Sequence, residues 1–203
     1  MAQTITIIGC GPGAAEYVTP AAVQAVQEAE LVMGPEKLTR LFDLPREKLV
    51  FPDKSLDQTL NRMARLRQKH QLAVLVSGDP GCFSLAAPVV KRFGPESCRI
   101  IPGISSVQLA MARLGLSWAQ ASMVSIHGRP DQELDKFLHL PCPLVILLGT
   151  DTVPVLPHLD TLLEKGSAYL LQNLGLAEER IVQITCPEDL EPQLSGSALL
   201  VVV

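Results

Sequence analysis

The amino-acid sequence predicts an α/β fold, with a mostly parallel sheet in its first part and a mixed sheet in its last part. Apolar runs of strand length alternate with segments in which apolar residues recur at helical spacing. Several runs are apolar throughout, as expected of strands covered on both faces, and the last ones are separated by short gaps. The 203 residues are 47% hydrophobic and 19% charged, a composition that favours folded cores over disorder.

The first part of the chain is predicted to alternate between strands and helices. The predicted strands are 4–9, 31–34, 72–78 and 99–103, and the predicted helices are 20–30, 56–70, 85–93 and 104–114. Thr19 is expected to cap the first helix, because Pro20 follows it at the first helical position. Ser55 is expected to cap the second helix, with Gln58 completing a capping box.

The last part of the chain is predicted to contain more strands and fewer helices. The predicted strands are 123–128, 144–150, 167–173, 180–185 and 197–203, and the predicted helices are 131–139 and 152–165. Short gaps between the last three strands predict antiparallel pairing. The segment GLSWAQA at 115–121 is interpreted as a linker between an N-terminal domain at 1–114 and a C-terminal domain at 122–203.

Composition and residue spacing argue against several classes of protein. A net charge of -4 without a basic stripe argues against a nucleic-acid partner. The five cysteines are odd in number and form no CxxC pair, which favours a reduced, cytoplasmic protein over a disulfide scaffold. The four histidines lack the spacing of metal ligands, so no metal site is expected. The sequence contains no long apolar run and no signal peptide, so no membrane span is expected.

The first glycine-rich loop, GCGPGA at 9–14, has the form of a dinucleotide-binding fingerprint. Pro12 weakens that interpretation because it removes an N–H group from the loop, and the helix begins only after Thr19, too late to meet a pyrophosphate. The second strand ends in Met33-Gly34, without the acidic residue that binds a ribose. From this loop alone, a plain strand-to-helix turn and an NAD-dependent oxidoreductase both remain open.

Two further loops of small residues follow predicted strands: SGDPGCFS at 77–84 and PGISS at 102–106. Because ligands of open α/β sheets lie beyond the carboxyl ends of the strands, the three loops together predict a binding site at one sheet edge. Each loop also has a purely structural explanation: turn geometry for Gly78, an Asx turn for Asp79, and a helix cap for the serine pair. The loops contain no Lys or Arg, which favours a neutral or zwitterionic ligand over a phosphate.

These loops, in this order, resemble the tetrapyrrole (corrin/porphyrin) methylases, and the later motifs LLGT and NLGLAEERI are similar to that family's second domain. The resemblance covers essentially the whole chain. Three features most resemble the branch that methylates C5 of cobalt-precorrin-7, which includes the N-terminal half of the fused precorrin-6Y C5,15-methyltransferases. They are Val107-Gln108 after PGISS, Trp118 after LGLS, and NLGLAEERI.

The resemblance implies a two-domain α/β fold that binds S-adenosylmethionine (SAM) in a cleft between the domains, and a homodimer. The implied function is SAM-dependent methylation of C5 of a precorrin macrocycle in cobalamin biosynthesis. Gly78 and Asp79 would let the chain pass close to the cofactor. The cofactor-binding residues that the resemblance implies are Pro12, Ser77, Gly78, Asp79, Cys82, Phe83, Ser105, Ser106, Leu148 and Leu174.

Methyl transfer from a sulfonium is an in-line displacement by an electron-rich carbon, so it needs positioning of the reactants and no protein nucleophile. Asp79, His127 and Glu178 are candidates for a base that removes a proton afterwards, and none is assigned. For His127 the alternative is a structural hydrogen bond. Cys82 is interpreted as a small filler beside the cofactor, with a redox role as the alternative.

Arg129 is the candidate for binding a carboxylate arm of the macrocycle, because arginine binds carboxylates bidentately. Arg40, Arg113 and Lys91 are alternatives for that role.

Other functions remain open on this sequence. Within the family fold they are methylation of another ring carbon, of an RNA ribose or of a modified protein histidine, and outside it a non-catalytic SAM-binding subunit. The chain stops after the apolar run SALLVVV, so a second module like that of the fused relatives is not expected. One methyl group per macrocycle, without decarboxylation, is therefore predicted, with a separate protein for the C15 step.

Overall fold

The computed structural model of this protein describes residues 2–126, 131–190 and 193–203. The chain forms two compact units, one ending at Ser106 and the other beginning at Val107. Each unit is built around its own five-stranded sheet. The first sheet is entirely parallel and the second is mixed, which confirms the predicted fold class.

The first sheet is made of five strands in the order β3-β2-β4-β1-β5. They are β1 (Ile5–Gly9), β2 (Leu31–Met33), β3 (Leu49–Val50), β4 (Leu72–Val76) and β5 (Cys98–Ile101). All pairings are parallel, so every strand ends at the same edge of the sheet. Since β1 lies between β4 and β5, the three loops of small residues follow neighbouring strands.

Helices cover both faces of the first sheet. They are α1 (Pro20–Glu28), α2 (Glu36–Thr39), α3 (Leu56–Leu66) and α4 (Ala86–Phe93). The next helix, α5 (Ser106–Arg113), belongs to the second unit from Val107 onwards. Both predicted caps are confirmed, because Ala22 N donates to Thr19 Oγ1 at 3.1 Å and Gln58 N donates to Ser55 Oγ at 3.2 Å. The sheet separates two apolar clusters, one packed beneath α3 and α4 and the other beneath α1. The short elements α2 and β3 were not predicted.

The second sheet is made of five strands in the order β6-β7-β10-β8-β9. They are β6 (Ser122–Ser125), β7 (Leu144–Asp151), β8 (Ala168–Gln172), β9 (Arg180–Ile184) and β10 (Gln193–Val202). β6 pairs with β7 in parallel and the other pairings are antiparallel, which confirms the prediction for the last three strands. β10 is the central strand, and its apolar residues 199–202 are buried.

Two predicted helices of the second unit differ from the structure. The segment Asp131–Phe137 is a 3₁₀ helix. Leu134 and Phe137, three residues apart and so on the same side of such a helix, both pack in the apolar cluster of the second unit. The helix predicted over 152–165 begins only at α6 (Leu159–Lys165). Pro154 and Pro157 explain the late start, because proline lacks an N–H group and disfavours helical backbone in the residue before it.

No helix in the described parts of the chain is long and apolar enough to cross a membrane.

Candidate functional site

The three loops of small residues meet at the carboxyl edge of the first sheet. Gly78 N donates to Gly11 O at 2.8 Å, and Gly11 N donates to Gly78 O at 3.3 Å, so the loops after β1 and β4 pair with each other beyond the strand ends. The loop after β5 packs on this pair at Gly103. The edge is therefore built largely from main-chain atoms.

Two glycines at this edge are required by crowding. A Cβ atom on Gly103 would lie 2.7 Å from the carbonyl carbon of Gly9 and would also collide with Gly78 O. A Cβ atom on Gly9 would lie 2.6 Å from Gly103 N. Real Cβ atoms do not approach backbone atoms this closely, so these glycines allow the three loops to pack backbone against backbone.

Gly78 is a glycine for a different reason. Its φ of 66° lies in the left-handed region, which side chains other than glycine rarely adopt. A Cβ atom there would meet Ser105 Cα at 3.6 Å, which is an ordinary contact distance. The turn geometry considered for Gly78 in the sequence is thus present in the structure.

Asp79 joins two of the three loops through both of its carboxylate oxygens. Oδ1 accepts a hydrogen bond from Gly81 N at 2.7 Å, within its own loop. Oδ2 accepts one from Gly103 N at 3.0 Å, in the loop after β5. The contact with Gly81 N is the Asx turn considered from the sequence. The additional contact with Gly103 N makes Asp79 a brace between two loops.

Phe83 is the unusual residue of the loop after β4. It is half exposed, with 50% of its surface accessible, and its φ is 45°. A bulky residue in the left-handed region carries backbone strain, and such strain concentrates at functional sites. Phe83 therefore places an aromatic ring at the surface of a loop whose other residues are small.

Cys82 has the properties of a packing residue. It is half-buried, and burial, together with the charge of Asp79, raises the pKa of its thiol. A reactive cysteine needs the opposite shift, because the thiolate is the nucleophile. The environment of Cys82 thus favours the filler role over the redox role.

In the second sheet, β7 and β8 end at the same edge. β7 and β8 both pair antiparallel with β10, so they run in the same direction and their carboxyl ends share an edge. Gly149 and Gln172 face Ala198 from opposite sides. The next residue after β8, Asn173, has a φ of 50°. A turn with left-handed backbone therefore begins where this strand ends.

Sequence reasoning missed Glu179, which closes that turn. Its carboxylate accepts hydrogen bonds from Arg113 Nε at 2.6 Å, from Arg113 Nη2 at 3.2 Å and from Gly175 N at 2.7 Å. The bonds from Arg113 lower the pKa of Glu179, and the bond from Gly175 acts in the same direction. The two partners are 66 residues apart, so no local pattern points to the pair.

A family model for tetrapyrrole (corrin/porphyrin) methylases matches residues 4–188 of this chain. The chain belongs to the tetrapyrrole methylases. Among curated members of the family, it is 34% identical over 140 residues to a probable cobalt-precorrin-7 C(5)-methyltransferase of Methanocaldococcus jannaschii. That match covers 67% of this chain and 65% of the relative. The chain thus spans less than two thirds of the length of the curated cobalt-precorrin-7 C(5)-methyltransferases it matches.

Solved structures of tetrapyrrole methylases share the fold along nearly the whole chain. The crystal structure of the precorrin-6Y methylase of Archaeoglobus fulgidus superposes with a TM-score of 0.76 at 24% identity, covering 99% of this chain and 98% of that one. The uroporphyrin-III C-methyltransferase of Thermus thermophilus, complexed with S-adenosylhomocysteine, gives 0.74 at 21% identity and covers 98% and 96%. At these identities the likeness establishes the fold.

The structure gathers most of the residues that the family resemblance implied for the cofactor. Those at the first sheet edge are Pro12, Ser77, Gly78, Asp79, Cys82, Phe83, Ser105 and Ser106. Leu148 and Leu174 belong to the second unit, at β7 and after β8, and their side chains are buried. That these two positions bind the cofactor stays a prediction.

The remaining candidates are scattered. His127 and Arg129 lie outside the described residues. Glu178 is exposed in the turn after β8, beside the missed Glu179. Arg113 is bound to Glu179, so part of its hydrogen-bonding capacity is already used.

Arg40 forms an exposed pair with Glu36 one helical turn away, and Lys91 is exposed on α4. Among the residues whose positions are described, no three His, Cys, Asp or Glu side chains are grouped as metal ligands.

Proposed function

We propose that this protein is a SAM-dependent methyltransferase that methylates C5 of a precorrin-7-type macrocycle in cobalamin biosynthesis. The observation that carries the cofactor assignment is the first sheet edge, where loops without Lys or Arg are fixed by main-chain packing and by Asp79. The choice of macrocycle and carbon is supported by the names of the relatives, a cobalt-precorrin-7 C(5)-methyltransferase and a precorrin-6Y methylase.

The residues at the first sheet edge fit SAM. SAM has no phosphate, and its adenosine and amino-acid groups suit loops that offer main-chain donors, hydroxyls and one aromatic ring. Phe83 is an exposed aromatic side chain of the loop after β4, and Ser77 is an exposed residue of the same loop that carries a hydroxyl. Bound SAM would supply an electrophilic methyl group. The protein's contribution is to hold the two reactants in the geometry of attack.

The cofactor assignment can be tested by calorimetry with SAM and NAD on the same sample. We expect SAM to bind and NAD not to bind. Tight binding of NAD alone would favour the oxidoreductase suggested by the first loop in isolation. Phe83→Ala is expected to weaken SAM binding, whereas Phe51→Ala, which removes another exposed phenylalanine after β3, serves as its matched control.

A protein base for the proton lost after methylation stays unassigned. Both oxygens of Asp79 already accept main-chain hydrogen bonds, which suits a bracing role. Asp79, His127 and Glu178 therefore all remain candidates.

We further propose that Arg129 binds a carboxylate arm of the macrocycle, because the protein is acidic overall and needs local cations to hold a polyanion. Arg129→Ala should raise KM for the macrocycle more than it weakens SAM binding. Arg99→Ala, at an exposed arginine on β5, is the control. Equal losses for both substrates would assign Arg129 a structural role.

The function itself is tested by the position of the transferred methyl group. The protein is incubated with SAM labelled with ¹³C in its methyl group and with cobalt-precorrin-7, and the product is analysed by mass spectrometry and ¹³C NMR. We expect one labelled methyl group, on C5. A label on another ring carbon would place the protein elsewhere in the family, and SAM binding without transfer to any macrocycle would favour a binding subunit. We also propose a homodimer, which light scattering in solution would test.

A further inference from the structure

Two exposed apolar side chains lie next to the end of β3. Phe51 directly follows the strand and Leu56 is the first residue of α3, and 45% and 46% of their surfaces are accessible. Because β3 is parallel to the other strands of the first sheet, it ends at the same edge as β4, whose loop carries the exposed Phe83. Three exposed, large apolar side chains therefore lie at one edge of the first sheet.

The loop that carries Phe51 is fixed to α3. Arg62 Nη1 donates a hydrogen bond to Phe51 O at 3.2 Å and lies 3.6 Å from Oδ1 of Asp53. Asp53 N donates to Oγ1 of Thr59 at 3.0 Å, and Thr59 is buried. The loop after β3 is thus held through its backbone, and Phe51 is exposed on a loop that is fixed in place.

Single exposed apolar side chains are common on protein surfaces and need no functional explanation. Phe51 and Phe83 differ in their position, because ligands of α/β sheets bind beyond the carboxyl ends of the strands. β2 lies between β3 and β4, so the ends of these two strands are about 10 Å apart. Gly34, the residue after β2, adds no side chain between them. This side of the edge therefore suits a wide ligand.

The chemistry of the loop after β3 matches the proposed substrate. A precorrin macrocycle combines a broad, largely apolar ring system with carboxylate arms. An aromatic side chain buries much apolar area against such a ring system. Lys54 lies between Phe51 and Leu56 in the sequence and is exposed, so it offers a cation to a carboxylate.

We propose that Phe51 and Leu56 form the apolar surface on which the ring system of the macrocycle packs, with Lys54 binding one of its carboxylate arms. This inference rests on the proposed function and adds residues that select for a wide macrocycle. It assigns macrocycle binding to the loop after β3, whereas SAM binding is assigned to the loops after β1, β4 and β5. Loss of Phe51 should therefore weaken binding of one substrate and not of the other.

The test compares Phe51→Ala, Phe51→Tyr and Lys54→Gln with the wild-type protein. Phe51→Tyr keeps the aromatic ring. Ile100→Ala is the matched control, because Ile100 is 46% exposed in the same unit but lies within β5. KM and kcat are measured with cobalt-precorrin-7, and the macrocycle Kd is measured from its visible absorbance in the presence of S-adenosylhomocysteine. Calorimetry gives the affinity for S-adenosylhomocysteine and the Tm.

We expect Phe51→Ala to raise both the KM and the Kd of the macrocycle about tenfold. The kcat, the affinity for S-adenosylhomocysteine and the Tm should not change, because the side chain is exposed and lies outside the predicted cofactor loops. Phe51→Tyr and Ile100→Ala should match the wild type. Lys54→Gln should raise KM about threefold at low salt.

Unchanged KM and Kd in Phe51→Ala, or an equal rise in Ile100→Ala, would overturn the proposed macrocycle surface and leave the proposed function intact. Unchanged KM in Lys54→Gln would overturn the role of Lys54. Wild-type protein that binds SAM but methylates no macrocycle would overturn both the surface and the proposed function. Should Phe51→Ala fail to fold, Leu56→Ala decides: unchanged KM and Kd in that variant overturn the proposal.

Discussion

The two sheet edges fix their loops by different physical means. At the first edge, main-chain atoms of Gly9, Gly78 and Gly103 pack directly on one another, and Asp79 binds main-chain N–H groups of two loops. At the second edge, the turn after β8 is held by an arginine–glutamate pair. The first edge has no room for a Cβ atom at Gly9 or Gly103, whereas the second edge depends on a charge.

This difference predicts how each edge responds to change. Close packing acts over tenths of an ångström and is insensitive to pH or salt. A partly exposed ion pair contributes less free energy and loses its contribution when the acid is protonated or when salt screens it. Substitutions at the crowded glycines of the first edge should therefore cost the most, and the Arg113–Glu179 pair of the second edge should respond to acid and to salt.

The largest effect is expected for Gly103→Ala. Its Cβ atom would lie 2.7 Å from the Gly9 carbonyl carbon, so the loops must separate, at a cost of about 3 kcal/mol in free energy of unfolding. Gly115→Ala is the control, since no atom of the described residues lies within 4 Å of a Cβ there and only its φ of 68° opposes the change. Urea unfolding of both variants measures the difference. Equal costs would mean that crowding at the first edge is relieved without loss of stability.

A somewhat smaller effect is expected for Asp79→Asn. One amide oxygen cannot replace the two carboxylate oxygens that accept from Gly81 N and Gly103 N, so we expect a loss of about 2 kcal/mol. SAM binding should weaken in parallel because the loops lose their brace. If Asp79 acts as the base instead, the variant will keep its stability and its SAM affinity and lose kcat alone.

The second edge should respond to pH through Glu179. The pKa of Glu179 is lowered in the folded protein, chiefly by Arg113, so its stabilising effect is complete above its ordinary pKa of about 4.3 and disappears as pH falls through the lower, folded pKa. Glu179→Gln should therefore cost about 1 kcal/mol at pH 7 and progressively less in acid. Urea unfolding across this pH range checks the trend. A cost that stays constant down to pH 3 would show that the charge of Glu179 contributes nothing.

The first edge could be predicted from the sequence because its signals are local. Strand ends, small-residue loops and the direction of parallel strands together placed three loops at one edge, and the order β4-β1-β5 makes them neighbours. The sequence did not reveal why each glycine is needed. Both positions are glycine in the sequence, but Gly78 is required by its positive φ, whereas Gly103 is required because a Cβ atom there would collide with the neighbouring backbone.

The second edge could not be predicted in the same way. Arg113 and Glu179 are brought together by folding across 66 residues, and the sequence does not indicate which of the adjacent glutamates at 178 and 179 binds an arginine.

The late start of α6 is a different kind of error. Pro154 and Pro157 were visible in the sequence, and their known effect on helices would have moved the predicted start to its place after them.

The smallest effect concerns Cys82, and it tests whether the first edge contains any reactive group. Burial and the neighbouring Asp79 raise the pKa of this thiol, so little thiolate forms near neutral pH. Alkylation by iodoacetamide, followed by peptide mass spectrometry, should be slow at pH 7.5 and should still be rising above pH 9. Cys10, whose burial raises its pKa to about 12, is the internal control and should not react while the protein is folded. Asp79→Asn should modestly speed labelling of Cys82, because it removes a negative charge that opposes ionisation. Fast labelling at neutral pH that levels off below pH 8 would instead identify a reactive thiolate at the first edge.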